Sequence, residues 1–298
     1  MQYYFLLVLA VLFWSGNFVF GRLVSSSIEP TELSFYRWFF VLVLLLPYIF
    51  INIKRLFKAL SKDFLILLLL GAFGVAGFNT FLYYGLQTTT AINALLINSA
   101  IPIMIVVLSG IILKTSIKFI QVLGIIISTI GVIYLILKGE YQTLQTLEFS
   151  RGDLWILLAG FVWSVYSICL KFMPKDIKAF DFLAITTFIG TLILAVVFFY
   201  QGYTFSIDFV DNSSVFYSLI YMVIFPSILS FYFWNISTVQ VGANKAGQFA
   251  HLMPIFGAVL AYIFLKEKLE LYHLVGVLLI GLGIYLSIFY VKKSSKNG

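Results

Sequence analysis

The chain has 298 residues, of which 62% are hydrophobic and only 10% are charged, and its formal net charge is +7 at pH 7. So few polar residues could not cover the surface of a water-soluble protein, which excludes a soluble enzyme or a soluble binding domain. The single cysteine excludes an intrachain disulfide and argues against a cysteine-based metal site.

Apolar runs recur along the whole chain, and each is long enough for a transmembrane helix, which needs about 20 apolar residues. We therefore predict an all-α integral membrane protein with ten transmembrane helices. The predicted spans are 3–24, 31–52, 64–84, 89–113, 117–138, 152–173, 179–200, 214–237, 243–266 and 270–291. No segment remains for a soluble domain. Beyond the lipid bilayer and a small-molecule substrate, no cofactor, metal ion or nucleic acid is predicted as a partner.

The second half of the sequence repeats the first. Identical residues recur at an offset of 152 in Pro102 and Pro254, Gly124 and Gly276, and Gly131 and Gly283, and at an offset of 149 in Trp14 and Trp163. Five spans in each repeat is an odd number, so the two repeats enter the membrane in opposite orientations. The predicted units are a repeat at 2–138, a linker at 139–151, a second repeat at 152–291 and a tail at 292–298.

The positive-inside rule sets the orientation of the spans, because cytoplasmic loops carry an excess of lysine and arginine. With the N-terminus in the cytoplasm, 13 basic residues lie inside and five lie outside, and Arg37 within a span completes the total of 19. We therefore predict that both termini are cytoplasmic. The net positive charge then reflects membrane topology and indicates no nucleic-acid partner.

Polar and aromatic side chains within the spans are candidates for a substrate site, because a polar group in hydrocarbon is costly unless it faces protein or water. They occur on six spans, three in each half. The candidates are Trp14, Asn17, Asn79, Tyr83, Asn98, Trp163, Tyr166, Trp234, Gln248 and His251. The alternative for each is a side chain that bonds only a neighbouring helix. As a set, they predict a central cavity for an amphipathic solute.

Two charged or titratable candidates leave several roles open. Arg37 lies well inside span two and could bind an anion, pair with Glu32 or another carboxylate, or extend its guanidinium to the outer interface. His251 is the only histidine in the core of a span. It could pack against neighbouring helices or act as a proton-linked switch, since imidazole exchanges protons near neutral pH.

Matched prolines in spans four and nine predict hinges. Pro102 and Pro254 lack the N–H that would bond the carbonyls of Asn98 and Ala250, four residues earlier. Near the middle of a membrane those carbonyls need another partner, which a water-lined cavity, a solute or a neighbouring helix supplies.

Other residues are expected to be structural. Trp38 and Trp155 lie near span ends, where tryptophan commonly anchors a helix at the membrane interface. The paired glycines of spans five and ten permit close helix contact, either between the two halves or between the protomers of a homodimer.

Four features occur together: two five-span modules, the opening Leu12-Phe13-Trp14-Ser15-Gly16-Asn17-Phe18, the arginine of Tyr36-Arg37-Trp38, and the proline-bearing spans four and nine. In these features the chain resembles the EamA family of the drug/metabolite transporter superfamily. The resemblance covers residues 2–291. It implies a pore surrounded by spans one to four and six to nine, and export of amino acids, related metabolites or toxic organic compounds. One departure is that Lys114-Thr115 stands where the family often has an acidic residue, which Glu267 supplies in the second half.

The sequence thus predicts a secondary transporter of the inner membrane that exports amino acids or related small amphipathic metabolites by alternating access. An exchanger of nucleotide sugars or sugar phosphates is the alternative, with Arg37 and Lys245 holding phosphate. An intramembrane enzyme would need clustered carboxylates, paired histidines or a serine–histidine pair in the spans. The cores of the spans lack such a set, so no catalytic residue is predicted.

Overall fold

The computed structural model describes residues 1–89, 91–115, 117–140, 142, 149–265 and 270–290, and all regular structure in these ranges is helical. The helices are α1 (Gln2–Val24), α2 (Pro30–Lys62), α3 (Phe64–Thr88), α4 (Ala91–Asn98 and Ile101–Leu113), α5 (Phe119–Ile136), α6 (Arg151–Cys169), α7 (Ala179–Tyr200), α8 (Ser213–Val241), α9 (Ala243–Gly247, Gln248–Leu252 and Met253–Leu265) and α10 (Leu271–Ile284, continued by Tyr285–Tyr290). Within the described part, nine helices are long and apolar enough to cross a bilayer, and the tenth, α9, is divided into three pieces. The predicted all-α membrane fold is confirmed. Most of the predicted linker, the tail at 292–298 and Glu267 lie outside the described residues.

α2 continues ten residues beyond the predicted end of its span. A helix of 33 residues is about 50 Å long, whereas the hydrocarbon core of a bilayer is roughly 30 Å thick. Its last turns are amphipathic, with Lys54 and Lys58 exposed and Leu56 buried. The end of α2 therefore extends out of the hydrocarbon, which a hydropathy pattern could not show because it detects apolar length and not helix length.

The two halves share their helical irregularities. α3 and α8 each contain a π-helical segment, Gly71–Gly77 and Val223–Leu229, which are 152 residues apart. The segments that precede them differ in length, with 7 residues in Phe64–Leu70 and 10 in Ser213–Met222. These three extra residues in α8 explain why the offset between the halves changes from 149 to 152.

Both proline-bearing helices are interrupted at equivalent positions. α4 breaks between Asn98 and Ile101, and α9 tightens into a 3-10 segment at Gln248–Leu252 before regular helix resumes at Met253. In each case the proline is the second residue of the resumed helix. A proline is tolerated in the first turn of a helix, because the N–H that it lacks has no partner there anyway. The sequence predicted kinks at these prolines, and their role as hinges stays a prediction.

The two halves interlock through equivalent helix pairs. α1 packs beside α8 and α9, and its counterpart α6 packs beside α3 and α4. α2 pairs with α7, and α5 pairs with α10. Each helix named here therefore has a major neighbour in the opposite half, so a displacement of one half changes contacts throughout the bundle.

Trp38 corrects one expectation. Its side chain is 0% exposed and its ring meets that of Phe231 edge to face, with centroids 5.0 Å apart. An interfacial anchor would be partly exposed, as Trp155 is at 39%. The position near the end of a span suggested an anchor, but α8 covers this face of α2.

The glycines of α5 and α10 lie between the two halves. A Cβ atom placed on Gly124 would lie 2.6 Å from the carbonyl oxygen of Gly283 and 2.7 Å from the backbone nitrogen of Ser287. Gly131 and Gly276 face side chains of the opposite helix equally closely. The sequence left open whether these glycines pack between the two halves of one chain or between two protomers. In this structure they pack between the two halves of one chain.

We expect Gly124→Ala to lower the free energy of unfolding by about 1–3 kcal/mol, because overpacking against rigid backbone forces α5 and α10 apart. The matched control is Gly281→Ala on α10, where an added Cβ would meet nothing within 4 Å. Its stability should stay the same or rise, since alanine favours the helix. Unfolding by SDS in mixed micelles measures both variants, and equal stabilities would contradict this packing.

Candidate functional site

An aromatic layer closes the middle of the bundle. Trp14 and Trp163, which are equivalent residues of the two halves, contact each other edge to face with ring centroids 4.9 Å apart. Trp234 lies 5.2 Å from Trp14 and 5.5 Å from Trp163. Phe78 and Phe231 complete the layer against Trp163. Both halves therefore contribute to one apolar barrier.

A small central hollow adjoins this layer. It is lined by Trp14, Asn17, Phe18, Phe78, Asn98, Ile101, Trp163, Trp234, Ala250 and Met253. Its free volume of about 10 Å³ is room for one water molecule at most, so the hollow is closed in this conformation. Asn98 is 6% exposed, and neither its Oδ1 nor its Nδ2 has a hydrogen-bond partner among the described residues. A buried amide without partners is costly, and the polar group of a solute would satisfy it.

Arg37 lies at the centre of a hydrogen-bonded network and is 0% exposed. Its Nε donates to the hydroxyl of Ser227 at 2.6 Å, and its Nη1 donates to Tyr83 at 2.7 Å, Asn79 at 2.8 Å and Asn17 at 3.1 Å. These four partners are neutral. In this structure Arg37 therefore neither pairs with a carboxylate among the described residues nor extends to the outer interface, two of the roles that the sequence left open.

Each half contains a hydrogen-bonded tyrosine–asparagine pair at an equivalent place. The helix that carries the tyrosine in one half corresponds to the helix that carries the asparagine in the other. Tyr83 on α3 donates to Oδ1 of Asn17 on α1 at 2.9 Å. Tyr166 on α6 donates to Oδ1 of Asn235 on α8 at 2.6 Å. Asn17 and Tyr166 are 149 residues apart, and Tyr83 and Asn235 are 152 apart, so one bond recurs in both halves with donor and acceptor exchanged.

The two pairs differ in charge. Arg37 contacts the Tyr83–Asn17 pair, but the residue at its equivalent position in the second half is Thr186. Thr186 bonds the carbonyl of Phe182 in its own helix. The two halves therefore differ in that only the first has an arginine beside its tyrosine–asparagine pair.

A large vestibule of about 1120 Å³ opens at one end of the bundle. It is bounded by the ends of α4, α6 and α8 and by the starts of α1, α5 and α9, and its polar lining includes Gln2, Thr115 and Thr238. Lys171, Lys175 and Lys245 also line it. No aspartate or glutamate lines the described part of this vestibule, so its field favours an anionic solute.

The opposite end of the bundle is closed by polar contacts. Arg22 donates to the carbonyl of Leu86 at 2.6 Å, and Gln87 donates to Glu29 at 3.1 Å. Asp153 is 1% exposed and accepts from the hydroxyl of Thr89 and, at 2.7 Å, from the backbone N–H of Ser150. The sequence analysis missed Asp153, although its place three residues after Ser150 is the pattern of a capping box.

Gln248 and His251 lie apart from the central hollow. Nε2 of His251 is 2.9 Å from the carbonyl oxygen of Ser99, its own counterpart in the first half, and Nδ1 is 2.7 Å from the hydroxyl of Ser128 on α5. Gln248 is buried, and the hydroxyl of Ser287 on α10 lies 3.5 Å from its Oε1. The structure places both residues towards α5 and α10, so their binding of substrate stays a prediction.

The other nine candidate residues lie in the aromatic layer, around the hollow or in the polar groups beside it. Sequence reasoning did not select several apolar residues that contact them: Phe18, Phe78, Ile101, Phe231 and Met253. The repeat could have indicated Phe231, because Phe231 lies 152 residues after the candidate Asn79 and is its counterpart in the second half. Within the described ranges, no three His, Cys, Asp or Glu side chains come together as metal ligands would.

Comparison with known proteins identifies the architecture. The sequence matches the EamA-like transporter family over residues 1–137 and 150–289. The chain belongs to this family. It is 28% identical to the uncharacterized transporter YyaM of Bacillus subtilis, over 94% of this chain and 92% of that protein, and 28% identical to an uncharacterized transporter of Archaeoglobus fulgidus, over 95% and 96%. A crystal structure with 16% sequence identity superposes with a TM-score of 0.78 over 98% of each chain, which shows a shared fold. This EamA-like chain is therefore a multi-pass membrane protein whose family carries out transport.

We expect the contact between His251 and Ser128 to contribute to stability as a coupled pair. In a double-mutant cycle of His251→Leu and Ser128→Ala, the interaction term should reach at least about 0.5 kcal/mol, because the two groups share one buried hydrogen bond. The control cycle replaces Ser128→Ala with Ser164→Ala, whose hydroxyl donates to Gly160 of its own helix. Unfolding in mixed micelles measures both cycles, and an equal term in the control would refute the contact.

Proposed function

We propose that this EamA-like protein is a secondary transporter of the inner membrane that exports amino acids or related small amphipathic metabolites from the cytoplasm by alternating access. The observation that carries this proposal is the vestibule of about 1120 Å³ at one end of the bundle. An aromatic layer built by both halves closes the middle of the bundle, and polar contacts close the end opposite the vestibule.

The direction of the vestibule follows from the predicted topology. Its lining comes from the start of α1 and from the chain around the α4–α5, α6–α7 and α8–α9 connections. The positive-inside rule places these segments and both termini in the cytoplasm. The structure then corresponds to an inward-open state. Inverted repeats supply the outward-open state when the two halves exchange conformations.

The chemistry of the centre supports an amphipathic solute. Indole rings of Trp14, Trp163 and Trp234 offer apolar walls, whereas the unpartnered amide of Asn98 offers a polar contact in the same hollow. Pocket sites of this kind combine mostly apolar walls with a few polar groups that fix the orientation of the ligand. An amino acid or a related metabolite with an apolar side chain fits this description.

The interrupted helices support a rocking motion. α4 and α9 break just before Pro102 and Pro254, and α3 and α8 contain π-helical segments at equivalent positions. Such irregularities weaken the continuous hydrogen bonding of a helix and let its two parts move relative to each other. We assign the hinges of alternating access to Pro102 and Pro254.

A second candidate function rests on the three lysines of the vestibule. Lys171, Lys175 and Lys245 could hold the phosphates of a nucleotide sugar or a sugar phosphate. We rank this exchanger second because basic residues also follow from cytoplasmic topology alone. An intramembrane enzyme has no support from the relatives, which are named transporters.

Reconstituted protein in liposomes tests the function directly. We expect uptake of at least one amino acid or related amphipathic metabolite from a panel, measured with and without a pH gradient. Asn98→Leu should reduce this transport at least about tenfold, since the loss of a polar contact to solute is worth more than 1.4 kcal/mol. Leu123→Ala, on the exposed face of α5, is the control and should leave the rate unchanged. Exchange of sugar phosphates in place of the panel would favour the second candidate.

Cysteine labelling tests the orientation of the vestibule. The native Cys169 is buried, and Cys169→Ser gives a background without thiols. In intact cells, a membrane-impermeant maleimide should label Asp211→Cys but not Gln240→Cys. Both substitutions replace exposed residues, one in the connection just before α8 and one near the end of α8. Gln240→Cys should react after permeabilisation. Labelling of Gln240→Cys in intact cells would invert the topology and make the vestibule extracellular.

A further inference from the structure

The network around Arg37 contains donors that lack acceptors. The guanidinium group has five N–H donors and no acceptor. Nε and Nη1 reach oxygens, but Nη2 has no hydrogen-bond partner among the described residues. The amide nitrogen of Asn79 also has none within that part of the chain, although its Oδ1 accepts from Arg37 at 2.8 Å. Two adjacent groups are therefore short of an acceptor.

The network is also short of negative charge. The guanidinium is 0% exposed, and its partners Ser227, Asn79, Tyr83 and Asn17 are all uncharged. The ring of Trp38, with its centroid 5.3 Å from the guanidinium carbon, adds a weak electrostatic contact. A buried charge normally carries a paired opposite charge or binds one as a ligand. No described carboxylate bonds to Arg37.

Asn17 connects this network to the central hollow. Its side chain lines the hollow, and its Oδ1 accepts hydrogen bonds from both Arg37 and Tyr83. A solute that enlarges the hollow therefore meets the network first at Asn17. Neutral acceptors are readily replaced by an anion, because hydrogen bonds to a charged acceptor are shorter and stronger.

We propose that Arg37, together with the amide of Asn79, binds the carboxylate of the transported solute when the central hollow opens. A carboxylate has two oxygens that match two neighbouring donors, and its single charge balances a single guanidinium. The lysines of the vestibule attract such an anion towards the centre. Because Thr186 stands at the equivalent position, the tyrosine–asparagine pair of the second half has no guanidinium there, and the carboxylate end of the solute points to the α2 side. This assignment rests on the proposed function.

Probe binding to the full-length protein in lipid nanodiscs tests the assignment. The probes are 3-phenylpropionate and its neutral amide, 3-phenylpropionamide, and their dissociation constants come from quenching of tryptophan fluorescence. We expect the wild-type protein to bind the anion about tenfold more tightly, as one charge-assisted pair would give. Arg37→Gln should bring the two constants within about twofold of each other. Arg37→Lys should keep part of the preference, since it retains the charge but loses the planar fork.

The control variant is Arg22→Gln, which removes an arginine that donates to the carbonyl of Leu86 outside the network. It should keep the full preference for the anion. Equal binding of both probes by the wild-type protein, or an unchanged preference in a folded Arg37→Gln, would overturn the assignment. Tighter binding of phenyl phosphate than of 3-phenylpropionate would overturn the choice of carboxylate. Melting temperatures establish which variants are folded. If Arg37→Gln does not fold, Arg37→Lys and Asn79→Leu test the assignment in its place, and both should weaken the preference for the anion.

The same measurements separate this assignment from the proposed function. If amino acids move across liposomes but the preference for the anion does not depend on Arg37, the assignment fails and the export proposal stands. If the preference depends on Arg37 but no solute of the panel moves, the anion site stands and the export proposal fails.

Discussion

The two halves of this protein meet through their own equivalent residues. Trp14 contacts Trp163, and His251 bonds the carbonyl of Ser99, its counterpart 152 residues earlier. Contacts between equivalent residues place the pseudo-symmetry axis through the middle of the bundle. Both the aromatic barrier and the crossing of α4 with α9 lie on that axis. A displacement of one half therefore changes the contacts of the equivalent residues in the other half.

The irregular segments of α3, α4, α8 and α9 occur where the two halves touch. In a bilayer, an unsatisfied backbone group has no water to bond, so breaks and π-helical segments are tolerated only within the protein or beside a wet cavity. The interrupted helices α4 and α9 and the π-helical segments of α3 and α8 all contact helices of the opposite half. The carbonyl of Ser99, next to one break, accepts from His251. The same constraint thus explains the shape of the helices and the use of their polar side chains.

The two halves depart from symmetry in their charged residues. Both halves contain a buried tyrosine–asparagine bond, but only the first places an arginine beside it. Three lysines line the open vestibule, whereas the closed end holds the buried Asp153. The backbone is therefore close to symmetric, whereas the distribution of buried and vestibule charges is not.

Hydropathy and charge in the sequence determined the helical class, the spans and the proline-bearing helices, because each depends on residues close together along the chain. The duplication was visible as identical residues at a nearly constant offset. The candidate residues on α1, α3, α6 and α8 followed from helical spacing as well. Helical spacing identifies a face but not the helix that it meets, and only the tertiary structure turned Gln248 and His251 towards α10 and α5. It also buried Trp38 and surrounded Arg37 with neutral partners. These outcomes depend on contacts between residues far apart in sequence, and no local pattern contains them.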